Sequence, residues 1–128
     1  MIVDTSAVLA ILLKESDYEH YKRAIAEAER CLMSVANFFE STIVLEGRVG
    51  FGGGHELDLL IEESPIQLVE VTAEHAQVAR RAWRQFGKGN HPAALNFGDC
   101  FAYALAKETG EPLLFKGNDF ALTDIEAA

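Results

Sequence analysis

Short apolar runs alternate along this chain with longer stretches of mixed polarity. Ile2-Val3 is cut off at once by Asp4, and the runs CLMSV (31–35), IQLVEV (66–71) and PLLF (112–115) follow. Runs this short and this apolar predict strands buried on both faces of a parallel sheet, the first being MIVD. A weaker fifth strand is expected near Thr123 to Ile125.

Between these runs the spacing is helical. Asp4-Thr5-Ser6 leads into an apolar run ending at Leu13, and all three residue types cap helices. Ser16-Asp17-Tyr18-Glu19 has the order of a capping box and predicts a helix to about Arg30. From Val35 to Val49 the positions Phe38, Phe39, Thr42, Ile43, Leu45 and Val49 form a helical stripe. Phe51-Gly52-Gly53-Gly54 is read as a turn between two helices, because no strand precedes it and no Lys-Ser/Thr follows as a phosphate loop requires. Leu57 to Glu63 resumes the helix until Ser64-Pro65, and Thr72 caps another that runs to about Phe86. Gly98 to Thr109 is nearly all apolar, hence a buried helix, with Gly110 ending it.

Strands alternating with helices predict an α/β sandwich with a mostly parallel sheet. No repeat or linker interrupts it, so residues 1–128 are expected to form one domain. The longest irregular stretch is Gly87 to Asn96, GKGNHPAALN, and loops of that kind often carry function.

Composition narrows the picture. Hydrophobic residues make up 49%, ample for a core, yet no stretch approaches the ~18 apolar residues of a membrane helix. The start lacks the basic region and cleavage site of a signal peptide, so a cytoplasmic protein is expected. Cys31 and Cys100 lie in apolar runs without metal-ligand spacing and read as buried thiols. A net charge of −9 argues against non-specific adsorption to nucleic acid, though local charge can still steer it. Arg80, Arg81, Arg84 and Lys88 hold four of the eleven Lys and Arg; Arg80 and Arg81 read as a solvated helix face. Trp83 reads as core or dimer interface, and His20, His55 and His75 as surface or helix-face histidines.

Four acids change the question from fold to chemistry. In an open α/β sheet, ligands bind outside the carboxyl ends of the strands. Asp4 ends the first strand, Glu40 lies about one and a half turns into the helix leaving the second, Asp99 opens the buried helix, and Asp119 follows the fourth strand. A parallel sheet brings all four to one rim. Each has a plainer role open to it: Asp4 as a cap, Asp99 as a complement to its helix dipole, Asp119 as a turn residue. Glu40, among Phe38, Phe39, Ile43 and Val44, is hardest to explain without a partner. Clustered carboxylates raise one another's pKa, and a divalent cation relieves the repulsion. Oxygen-only ligands point to Mg²⁺ or Mn²⁺, one ion or two, and such sites suit phosphodiester hydrolysis by an activated water.

These residues resemble the PIN-domain ribonucleases, and among them the VapC toxins of type II toxin–antitoxin pairs. The resemblance runs through MIVDTSAVLAIL, SVANFFESTIVLEGR around Glu40, LNFGDCFAYALA around Asp99 and LLFKGNDFALTDI around Asp119, over essentially the whole chain. It implies a three-layer α/β/α sandwich, an Mg²⁺- or Mn²⁺-dependent endoribonuclease and a homodimer. It also implies inhibition by a VapB-type antitoxin that itself contacts operator DNA. Asp4, Glu40 and Asp99 match the core metal-binding acids, and Asp119 matches a fourth, more variable one. Ser6 matches a hydroxyl near the metal, while capping remains open to it. Asn118 stands where an acid is often found. Thr123 and Asp124 match a polar pair beside the site, though Asp124 can equally cap the terminal turn. Arg84, Lys88 and His91, on and beside the Gly87–Asn96 loop, are the candidates for holding RNA.

Two rivals were weighed. A haloacid-dehalogenase-like phosphatase also begins with a strand-end aspartate, but wants a second Asp where Ser6 stands. A PIN fold that binds RNA or a protein without cutting is the other, and it has no need of a costly carboxylate cluster.

Overall fold

The computed structural model describes residues 1–128 and is an α/β/α sandwich. In chain order the elements are β1 (Ile2–Val3), α1 (Thr5–Leu12), α2 (Tyr18–Glu27), β2 (Cys31–Ser34) and α3 (Val35–Val49). Then come α4 (Gly52–Glu63), β3 (Ile66–Val69), α5 (Ala73–Phe86), α6 (Phe97–Thr109) and β4 (Leu113–Leu114). The strands form one all-parallel sheet in the order β3-β2-β1-β4. The chain therefore builds outward from β1 to β3 and then crosses back to lay β4 on the other side. This makes the crevice beyond β1 and β4 the switch point where ligands of such sheets bind.

Strand periodicity divides the core into two layers. Ile2, Leu32 and Leu113, in register across three strands, face α5 and α6 and join Ala82, Phe86, Leu105 and Phe120. Their neighbours Val3, Cys31, Met33 and Leu114 face the opposite way and pack with Val8, Ile11, Ile25, Leu45 and Leu57 of α1–α4. Both cysteines are buried free thiols, as the sequence suggested.

Helix ends follow local chemistry. Thr72 caps α5, and the backbone N–H of Thr72 in return donates to His75 Nδ1. His75 is consequently buried rather than a surface histidine, with Nε2 2.9 Å from Glu108. Asn96 and Asp99 form a second reciprocal box at the start of α6, and Gly110 closes that helix at φ 70°.

Other expectations are corrected. The Ser16 box does not form: α2 starts after Asp17, whose side chain makes no cap but accepts from Lys116 Nζ at 2.8 Å. The glycine run is not a turn. Only Gly50, at φ 83°, and Phe51 break the helix, and Gly52–Gly54 already belong to α4. A β-carbon on Gly53 would stand 2.9 Å from the Leu45 carbonyl oxygen, so this glycine lets α4 press onto α3. The α3 stripe is not one core face: Asn37, Ser41 and Leu45 are buried, while Phe39, Ile43 and Val49 are exposed. Trp83 is 48% exposed and therefore not core. The fifth strand reduces to a single parallel bridge between Leu113 and Ala127, preceded by a 3₁₀ turn at Phe120–Leu122. No helix is long and apolar enough to cross a membrane.

Leu45, 1% exposed at the α3–sheet contact, tests this core. Leu45→Ala should lower the unfolding free energy by ~2–5 kcal/mol in urea titrations followed by circular dichroism.

Candidate active site

Asp4 stands where β1 becomes α1. Its backbone N–H continues the sheet by donating to the Leu114 carbonyl at 3.0 Å, and its carboxylate then caps α1. Oδ2 accepts from the backbone N–H of Ser6 at 3.0 Å and from the Ser6 hydroxyl at 2.6 Å. Ser6 Oγ in turn accepts from the backbone N–H of Lys116 at 2.8 Å, on the exit from β4. Asp4 is 3% exposed, and its Oδ1 is buried with no hydrogen-bond partner. One oxygen of this carboxylate is thus used in capping and the other is left free.

The same division recurs at two further acids. Glu40 Oε1 accepts from the Thr5 hydroxyl at 2.5 Å, while Oε2 makes no hydrogen bond and lies against Gly98. Asp99 Oδ2 accepts from the backbone N–H of Asn96 at 3.0 Å in its capping box, leaving Oδ1 without a bond. Asp119, at the head of the 3₁₀ turn, is exposed and makes no cap.

The acids sense one another. Burial pushes the Asp4 carboxyl up to about 6 against the Ser6 hydrogen bonds, and the charge of Glu40 adds to the rise. Asp99 is pushed up to about 7, first by burial and then by the charges of Asp4, Asp119 and Glu40, with the Asn96 bond opposing. Juxtaposed carboxylates deprived of water produce this behaviour. All four sequence candidates therefore share one rim of the sheet.

The donor set is oxygen only, and it includes an orphaned buried carboxylate oxygen, which suits a hard divalent cation. No three His, Cys, Asp or Glu side chains are already gathered about a single point.

The other candidates sort differently. Asn118 is exposed beside Asp119 and its side chain is unbonded. The Thr123 hydroxyl donates to the Phe120 carbonyl at 2.7 Å, which shapes the terminal turn. Asp124 serves structure: it accepts from Tyr103 Oη at 2.7 Å and Lys107 Nζ at 2.8 Å, tying the C-terminal segment to α6. Arg84 and Lys88 are exposed. His91 is engaged in its own loop, where Nδ1 accepts from the backbone N–H of Ala93 and the ring meets Phe86 edge-on. A cleft of about 580 Å³ lies between α5, α6 and Asp124, and none of the four acids lines it.

Lys116 escaped the sequence reading. Its ammonium bonds Glu15 at 2.6 Å and Asp17 at 2.8 Å, clamping the α1–α2 turn onto the β4 exit loop, and these partners raise its pKa. The residues are about a hundred positions apart, so no local pattern could have paired them.

A PIN-domain family model matches residues 1–126, and the chain belongs to that family, within which its curated relatives are VapC ribonucleases. It is 51% identical over 127 residues to ribonuclease VapC of Mycolicibacterium smegmatis, covering 99% of this chain and 98% of that one. It is 50% identical over 125 residues to ribonuclease VapC30 of Mycobacterium tuberculosis, covering 98% and 95%. Among solved structures, the fold matches the M. tuberculosis toxin VapC20, which cleaves the sarcin–ricin loop. The TM-score is 0.80 at 17% identity, over 99% of this chain and 97% of that one. It also matches VapBC2 of Rickettsia felis, bound to a promoter DNA fragment, with a TM-score of 0.74 at 12% identity, over 98% and 94%.

The raised carboxyls make the metal-free fold sensitive to pH. Folded Asp4 and Asp99 hold protons that unfolded carboxyls near 3.8 release, so stability falls as pH rises from about 4 through about 7. Asp99→Asn removes its share. In chelator, the variant should be more stable than the wild type by ~1–3 kcal/mol at pH 8, and equal to it near pH 3.5, by calorimetric scanning.

Proposed function

We propose that this ribonuclease is a divalent-metal-dependent endoribonuclease toxin acting in the cytoplasm, with Asp4, Glu40, Asp99 and Asp119 as its metal-binding acids. The observation that carries the reading is the division of labour within the carboxylates. Asp4, Glu40 and Asp99 each have one oxygen anchored by a hydrogen bond and one left without any, and the free oxygen of Asp4 is buried. A stabilising role explains the anchored oxygens and leaves the buried, unbonded oxygen of Asp4 unexplained.

Mg²⁺ or Mn²⁺ bound there supplies charge neutralisation and Lewis acidity for phosphodiester hydrolysis by water. The chain's own residues do the positioning. Ser6 holds Asp4, Thr5 holds Glu40, the Asn96 N–H holds Asp99, and Asp119 approaches from the β4 exit loop. Arg84 and Lys88, exposed beside and on the Gly87–Asn96 loop, supply charge for the RNA backbone.

A VapB-type antitoxin neutralises the enzyme, and contact with DNA runs through that partner; the fold's likeness to a toxin–antitoxin complex of Klebsiella pneumoniae and to VapBC2 of Rickettsia felis on promoter DNA supports this. The working unit is a homodimer. Phe39, Ile43 and Phe51 are 63%, 57% and 88% exposed, apolar surface that a partner would cover.

One observation favours a non-cleaving RNA- or protein-binding module instead: no three acids are preassembled about a point. Sequencing of RNA 5′ ends after brief expression separates the two. Wild type should create new ends at defined sites, and Asp99→Asn should reduce them by ~100-fold or more. Identical maps from soluble, antitoxin-free proteins would leave the binding module as the better account.

A further inference from the structure

Glu40 reaches the rim from the middle of α3, and three residues outside the acidic set decide where its carboxylate lies. Gly98, in the first turn of α6, is the first. A β-carbon built there falls inside the Glu40 carboxylate, so the carboxylate would have to leave its present position. The void left by the missing side chain is the seat of the glutamate. The chain here is helical and needs no unusual backbone angle, so Gly98 is required for space and not for conformation.

Thr5 and Asn37 aim the carboxylate into that seat. Asn37 is 0% exposed, and its Nδ2 donates to the Gly98 carbonyl at 2.9 Å and to Thr5 Oγ1 at 3.3 Å. The Thr5 hydroxyl then donates to Glu40 Oε1 at 2.5 Å. Rotating the Asn37 amide would set its oxygen against the Gly98 carbonyl, which fixes Nδ2 as the donor. The single Thr5 proton has two acceptors in reach, the Asn37 main-chain carbonyl at 3.3 Å and Glu40 Oε1 at 2.5 Å, and the shorter, charge-assisted bond is to Glu40. Asn37 meanwhile leaves its own Oδ1 buried without a partner. An apolar residue of similar size avoids that cost, so packing alone does not account for an asparagine here.

We propose that Gly98, Asn37 and Thr5 are the positioning residues that seat Glu40 in the metal site. Glu40 is delivered by a void and a one-way hydrogen-bond relay joining α1, α3 and α6. This inference rests on the metal-dependent reading of the acids. It adds that α6 contributes to the site twice, through Asp99 as a ligand and through the absent side chain of Gly98. Gly98→Ala displaces the glutamate while putting a better helix former into α6.

The test is Mn²⁺ titration by calorimetry on antitoxin-free protein, beside melting curves in chelator. Gly98→Ala should weaken Mn²⁺ binding by ~10–100-fold, the range for residues that orient metal ligands. Added to Glu40→Gln, it should weaken binding no further. Thr5→Val should lose affinity similarly and Thr5→Ser should keep it, since serine retains the hydroxyl. The proposal is overturned if Gly98→Ala binds Mn²⁺ like the wild type, or weakens binding equally with and without Glu40. Should Gly98→Ala fail to fold, wild-type affinity in Thr5→Val overturns it as well. A wild type that takes up no Mn²⁺ removes the metal-dependent reading itself, and this inference with it. A wild type that binds and cleaves while Gly98→Ala matches it removes this inference alone.

Discussion

The structure turns on one buried carboxylate. Asp4 follows a two-residue strand at the centre of the sheet, between the strands that lead to either half of the molecule. Its main chain is held by β4 and its side chain by Ser6, and Ser6 is held by the main chain after β4. Removing a carboxylate from water is costly, and only part of the cost is offset by the two Ser6 hydrogen bonds. The remaining oxygen has nothing. Every other element near the rim is arranged around that deficit.

The neighbouring acids are supported by the same device: a carboxylate near a helix start is tethered through one oxygen. In Asp99 the tether is the capping box of α6, in Glu40 the hydroxyl of Thr5 at the head of α1. Tethering fixes where an acid can swing without using up its capacity to bind. Burial and the nearby charges of Asp4, Asp119 and Glu40 disfavour an ionised Asp99, a tension that protons relieve at low pH and that a divalent ion would relieve near neutrality. Lys116 performs a mechanical task beside them, fastening the α1–α2 turn to the loop that presents Asp119.

Family resemblance and physical reading met on the same four acids by different routes. The resemblance matched motifs; the structure supplied the reason each acid can face the rim. It also reassigned residues that motif matching had left ambiguous. Asp124 became a tie to Tyr103 and Lys107, and Ser6 proved to be a positioning hydroxyl and a link to β4 together.

By itself the sequence determined what depends on near neighbours and on alternation. The four main strands, the α/β class, the caps at Thr72 and Gly110 and the buried thiols are all carried by residues a few positions apart. Where local signals misled, a distant partner had intervened. Asp17 left its cap for Lys116, the glycine run became helix because α4 presses on α3, and His75 was buried by Glu108 on another helix. Tertiary structure alone decided which oxygen of each acid is free, and which small or polar residues make room for it. Thr5, Asn37 and Gly98 lie 32 and 61 residues apart along the chain, and their purpose exists only once three helices bring them together.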